Sequence, residues 1–299
     1  MEGKVLSPTA GYMPFSGRVS IRLYGRISPP ILGGEDMLRQ PWNVHDWAIK
    51  DRIAEETRAN IAGTLRQIGV KTVSAPRPQK FNAVICEPGD LTGDAVSISS
   101  DVTFMRGLDA DGVVVPVETP FWLSSADCLT LVVIDPKTGM TIASHAGRDC
   151  LFDRERIYGR PPSREHESVV DAIITRFKAA HVNAKYLQAF MTCGVGPEHF
   201  EHDWGHRDVV MATRNQAMCA HVLMRWGTQC LDGDLLKGKL VLTEIVRAQL
   251  VKHGVRVFNI GFDVVDTYDD VNVNGDHLWW SNRRGDGDKR NGVLVTRNW

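Results

Sequence analysis

The chain has 299 residues, 24% charged and 43% hydrophobic, with a formal net charge of −1. That length buries a large core, and the balanced charge argues against nucleic acid or acidic membranes as partners. The apolar runs are strand-length, residues 1–18 lack an apolar h-region, and the six cysteines show no C-x-x-C spacing, so a cytoplasmic protein with reduced thiols is expected.

In chain order, residues 18–24 alternate polar and apolar side chains as a strand does, and Pro29, Pro30, Gly33 and Gly34 make a loop. Ile53, Ile61, Leu65 and Ile68 fall at helical offsets within 51–68, and Gly69 supplies the stop. Segments 82–86, 112–117 and 122–125 read as strands. The next two runs are Ser125-Ala126-Asp127-Cys128 followed by Leu129–Asp135, and Met140–Ser144 followed by His145-Ala146-Gly147. They flank a Pro136-Lys137-Thr138-Gly139 turn and predict a β-hairpin. With Pro136 and Lys137 as central residues, Cys128 faces His145, and a bulge at Gly139 would slip this by one or two positions. A thiol beside an imidazole suits a metal site or a Cys–His nucleophile.

Charged residues and Pro161-Pro162 mark 155–167 as a surface insertion. Val169, Val170, Ile173, Ile174 and Phe177 form a helical stripe, 186–193 is a strand, 240–253 an amphipathic helix, and 255–262 and 292–296 further strands. His199, His202 and His206 lie near Pro197, Trp204 and Gly205, which favours a histidine-rich loop over a metal cluster; Trp279-Trp280 reads as core or cleft wall. Strands alternating with helices, together with an antiparallel hairpin, point to a mixed α/β architecture.

These motifs resemble the YfiH family, also called DUF152 or the laccase-domain proteins. Ser125-Ala126-Asp127-Cys128-Leu129-Thr130-Leu131 followed by His145-Ala146-Gly147 is similar to T-A-D-C-L-P-V followed by H-A-G-W-R-G, with the same Cys-to-His spacing. Residues 60–69 resemble E-N-R-x-x-L-x-x-x-L-G, 194–201 resemble G-P-x-I-G-P-x-x-Y/F-E, and Trp280-Ser281-Asn282-Arg283-Arg284-Gly285-Asp286 resembles F-S-Y-R-R-D. The resemblance implies a single compact α/β domain over 18–299, with a mixed β-sheet and flanking helices, behind an N-terminal extension of 1–17. It also implies an active site built on a Cys and two His, with zinc ahead of copper as the metal. The family's activities include phosphorolysis and deamination of purine nucleosides and oxidation of phenols.

Carried onto this sequence, the resemblance implies Cys128 and His145 as catalytic residues and metal ligands, with Asp127 and Arg148 beside them. Arg283, Arg284, Ser281 and, by a weaker match, Arg22 would bind substrate or phosphate. The family's first metal ligand, in Q-V-H-G, aligns on Gln79 with Phe81 in the histidine's place, and phenylalanine cannot coordinate a metal. Cys86 and His45 are candidate replacements. Arg148 and Asp149 stand where the family has Trp and Arg, so Arg148 takes the Arg role if one residue is deleted, and C-T-Y becomes Asp266-Thr267-Tyr268. The expected function is purine nucleoside phosphorolysis or adenosine deamination, with nucleoside and phosphate as small-molecule partners. The alternatives are a catalytically impaired nucleoside-binding relative and a metal-free Cys–His hydrolase.

Overall fold

The structure is a computed structural model that describes residues 5, 7–26, 52–78, 80–263, 265–287 and 289–298. The expected loop at Pro29–Gly34, His45 and Gln79 lie outside the described residues. The elements run β1 (Ala10–Tyr12), β2 (Val19–Tyr24), α1 (Arg52–Gln67), β3 (Thr72–Ser74), β4 (Ile85–Cys86), β5 (Ala95–Ser97), β6 (Thr103–Met105), β7 (Gly112–Val114), β8 (Phe121–Ser125), β9 (Leu129–Ile134) and β10 (Thr141–Ala146). Then follow α2 (Arg148–Leu151), α3 (Arg154–Ile157), α4 (Val169–Ala179), β11 (Gln188–Thr192), α5 (Val209–Trp226), β12 (Leu231–Asp232), β13 (Lys239–Leu240), α6 (Leu242–Lys252), β14 (Ile260–Phe262) and β15 (Asn291–Arg297).

Two sheets dominate. One has the order β1-β2-β15-β8-β3-β6-β5 and the other β14-β11-β9-β10-β7-β4. Both mix parallel and antiparallel pairs: β3 runs parallel to β6 and β8, β4 to β7, and β11 to β14. Ile21, Leu23, Phe121, Leu123 and Val293 from the first sheet meet Val113, Val132, Ile134 and Ala143 from the second. The outer face of the first sheet buries Trp122 and Leu294 against Ile61 and Leu65 of α1. The outer face of the second buries Leu131, Val133 and Ile142 against the stripes of α4, α5 and α6. The layers are therefore helix, sheet, sheet, helices, and the α/β expectation holds. Among the described residues, no helix is long and apolar enough to cross a membrane.

The hairpin forms with its register moved by two. His145 pairs with Thr130, and Ala146 pairs with Leu129. The cause is the turn: Asp135 accepts bonds from the Lys137 and Thr138 amides, Gly139 takes φ +72°, and the Asp135 amide closes on Met140. That lengthens the loop beyond a two-residue turn. Cys128 consequently precedes β9 and lies level with Gly147.

Other boundaries moved for local reasons. The strand expected over 82–86 shrinks to β4, because Phe81 and Ala83 hold φ +49° and +57°, outside extended geometry. Pro116 lies just beyond β7 and can give no amide hydrogen to a ladder. The strand expected over 255–262 keeps only its last three residues, after a 3₁₀ turn at Val257–Asn259. Helix α5 was missed because its buried set, Asn215, Met218, Cys219 and Val222, is short and mixed in polarity. The 155–167 segment contains α3, and its Arg164 turns inward to donate to the carbonyls of Phe81, Asp149, Cys150 and Glu167. Residues 10–12, inside the expected N-terminal extension, pair with β2.

Gly112 carries the contact between β7 and β10. A Cβ there would lie 2.6 Å from Ser144 Cβ and 2.7 Å from the Ala143 carbonyl oxygen. Gly112→Ala is therefore expected to cost about 1–3 kcal/mol through overpacking. Urea unfolding should show a lower midpoint at unchanged slope.

Candidate active site at the ends of the central hairpin

His145 is the last polar side chain of β10 and is 6% exposed. Its amide donates to the Asp111 carbonyl at 2.7 Å, which sets the residue before β7 beside it. The short helix α2 begins just past Gly147 and brings Cys150 back, so that Cys150 Sγ lies 3.1 Å from His145 Nδ1. Asp111 Oδ1 lies 4.0 Å from the same nitrogen and 3.4 Å from Cys150 Sγ. The other Asp111 oxygen accepts the Ala83 amide at 2.6 Å. Asp111, His145 and Cys150 are all buried, and their ligand atoms lie within 4.8 Å of one another.

Cys128 approaches the ring as well. It hydrogen-bonds His145, and a Cβ on Gly147 would sit 2.8 Å from Cys128 Sγ and 3.0 Å from His145 Nε2. Only glycine leaves room for that meeting. Burial disfavours the charged imidazole, but Cys150, Cys128 and Asp111 outweigh it and raise the His145 pKa well above its ordinary value. Burial pushes the Cys150 thiol up to about 12.

Asp127 assembles the rest. It takes φ +75°, a conformation that Asp tolerates better than bulkier residues. One carboxylate oxygen accepts the Thr267 hydroxyl at 2.7 Å, the other accepts the Arg283 amide at 2.8 Å, and its carbonyl accepts the Val195 amide at 3.0 Å. Three distant loops are thereby tied to the residue before Cys128. Arg283 reaches the site by this tie, its guanidinium 4.7 Å from the centre of the Phe200 ring. Burial, then the neighbouring charge of Arg148, lowers the Arg283 pKa, while Asp127 and Cys128 oppose the shift.

Arg148 is held by two partners. Its Nε donates to Asp149 at 2.9 Å, and its Nη1 lies 2.8 Å from His202 Nε2. His202 Nδ1 faces the carbonyls of Phe200 and Gly238, so that nitrogen carries the proton and Nε2 accepts from Arg148. Burial, with the charges of Arg148 and Arg283, drives the His202 pKa down to about 3.

The structure brings Cys128, His145, Asp127, Arg148 and Arg283 together, with Asp127 in a positioning role. Arg284 is spent on the Tyr268 and Trp279 carbonyls and on Asp286. Ser281 is fully buried and accepts the Arg284 amide. Both shape the loop that presents Arg283. Arg22 lies elsewhere: it pairs across with Leu294 on the face of the first sheet that looks to α1, and it hydrogen-bonds Tyr24. Cys86 is packed between the sheets, its thiol 3.4 Å from the Gly112 carbonyl, and is not one of the three grouped donors. Phe81 stands against His145 with ring centroids 5.8 Å apart. His199 stacks on Tyr268 and pairs with Asp269, and Trp279 and Trp280 are core. Asp111 and Cys150 escaped sequence reasoning. Their only signals were an acid at the mouth of a strand and a cysteine five residues beyond His145.

Residues 72–297 match the family model described as multi-copper polyphenol oxidoreductase laccase. The chain belongs to this family, the YfiH/DUF152 group. Solved structures agree on the fold. The hypothetical protein YfiH of Bacillus licheniformis is 15% identical, with 94% of each chain covered and a TM-score of 0.63. A DUF152 protein of Neisseria meningitidis is 17% identical, covering 94% of this chain and 95% of that one, with a TM-score of 0.59. YlmD of Geobacillus stearothermophilus is 16% identical, covering 94% and 92%, with a TM-score of 0.59. A comparison with curated proteins finds no match. The family's implied metal is compatible with this chain, because imidazole, thiol and carboxylate together form a donor set suited to zinc.

His202 predicts a pH signature. Its folded pKa lies below its unfolded value, so its share of stability is complete above about pH 6.5 and falls as the pH drops toward 3. The slope it adds is up to about 1.4 kcal/mol per pH unit. Melting curves between pH 7 and 4 should show a shallower loss for His202→Gln, whose amide can serve both partners. An unchanged slope would contradict the buried neutral imidazole.

Proposed function

We propose that this YfiH-family chain is an enzyme of purine nucleosides, cleaving the glycosidic bond of adenosine or inosine with phosphate, with adenosine deamination as a second activity of the same site. The observation that carries this is the pair of arginines at Cys128. Arg148 and Arg283 lie close enough for one to shift the other's pKa, and among the described residues the Arg283 guanidinium has no carboxylate partner. Packing like charges is costly unless an anion joins them, and guanidinium groups match phosphate oxygens well. His202, held neutral, adds no third charge and fixes the direction of Arg148.

In phosphorolysis, the arginines align a phosphate oxygen with C1′ while the C1′–N9 bond breaks and its electron pair goes to the base. The Cys128–His145 pair holds the proton that the departing base takes up. A divalent ion at this centre would supply a fixed positive charge beside the ring, zinc ahead of copper. Oxidation of phenols through several coppers would need several ligand groups, and the described residues provide one of three donors.

A second reading rests on the hydrogen bond between Cys128 and His145, with Cys150 and Asp111 at the ring's other nitrogen. That order of groups matches a nucleophilic thiol, its base and an orienter, as in a metal-free Cys–His hydrolase.

Adenosine and inosine turnover with and without phosphate separates the readings. Phosphate-dependent release of base and ribose 1-phosphate is expected, and Arg283→Ala should raise KM for phosphate about tenfold to a hundredfold, the loss of about 1.5–3 kcal/mol. Absence of turnover on both nucleosides, alongside hydrolysis of activated esters that is lost in Cys128→Ala, would replace the phosphorylase with the hydrolase.

A further inference from the structure

The His145 ring is engaged at both nitrogens, and one metal ion cannot sit at both. On the Nδ1 side, the separations are 3.1 Å to Cys150 Sγ, 4.0 Å to Asp111 Oδ1 and 3.4 Å between those two atoms. A tetrahedral zinc with bonds of about 2.0–2.3 Å spaces such ligand atoms about 3.4–3.6 Å apart. The three buried donors therefore need to move only by fractions of an ångström. The Ala83 amide already occupies the second Asp111 oxygen, which aims the first at the group. On the Nε2 side, Cys128 is the one donor the structure shows beside the ring, and the ring of Phe81 lies against His145. Cys128 and His145 alone fall short of the three or four ligands that zinc takes.

We propose that the metal of this centre binds at His145 Nδ1, held by Asp111, His145 and Cys150, and that Cys128 is a free thiol on the opposite side of the ring. The family resemblance pairs Cys128 with His145 as ligands; here the donor set has moved across the imidazole. With Nδ1 committed to the ion, the ring proton sits on Nε2 and faces Cys128. The thiol sulfur then accepts a hydrogen bond from the ring and has Arg148 and Arg283 nearby, surroundings that favour thiolate. This division bears on both functional readings, and its test needs no substrate.

Untagged protein is loaded with one equivalent of zinc, desalted and assayed for metal. About one zinc per chain is expected in wild type and in Cys128→Ala, with a loss of about tenfold or more in Cys150→Ser and Asp111→Asn. Iodoacetamide should alkylate Cys128 in the zinc-loaded wild type without releasing the ion. These two Cys128 results decide the matter even if the Cys150→Ser chain fails to fold. Zinc lost from Cys128→Ala, zinc expelled by alkylation of Cys128, or no uptake by wild type would overturn the assignment. Loss of nucleoside turnover with both Cys128 results intact would count against the phosphorylase alone.

Discussion

One imidazole with two unlike neighbourhoods is the constraint on which the site depends. His145 is fixed through its amide, which closes on the Asp111 carbonyl, and through its place at the end of a fully buried strand. From that position Nδ1 looks toward a buried acid and thiol, and Nε2 toward a partly exposed thiol. The inward side has the chemistry of a metal ligand set. The outward side has the chemistry of a reactive pair under two arginines. Neither works unless the ring is held still, and the two-sheet core beneath it does that.

Asp127 plays the matching part for the loops. Its side chain spans the Thr267 hydroxyl and the Arg283 amide, so residues distant in sequence converge on Cys128. The cost is a left-handed backbone at a non-glycine residue. Phe81 and Ala83 show the same feature at the opposite wall, beside His145 and Asp111 respectively. Such conformations cost of order 1–3 kcal/mol each and persist where the surroundings over-determine them. Arg164 supplies part of that determination, binding carbonyls on both sides of the site from a segment whose composition looks like solvent-facing loop.

Much of the scaffold was legible because period and punctuation agree there. The hairpin, α1, α4 and α6 follow their apolar spacing, and only a turn that gained length through Asp135 and Gly139 displaced the register. The site was legible where a residue type coincides with a motif, as at Cys128, His145 and Arg283. It was illegible where function comes from tertiary placement. Cys150 looks like a core thiol, Asp111 like a strand-flanking acid and His202 like a member of an exposed loop, until a buried environment gives each a partner. Arg284 and Ser281 show the converse, since a matched motif can supply the loop's framework rather than its contacts with substrate.

The most direct measurement is an anomalous-difference map at the zinc edge from crystals of the zinc-loaded protein. A single peak enclosed by Asp111, His145 Nδ1 and Cys150 Sγ, with Cys128 Sγ outside coordination distance, is the predicted result. A peak bonded to His145 Nε2 and Cys128 Sγ would contradict the account and return Cys128 to the role of ligand.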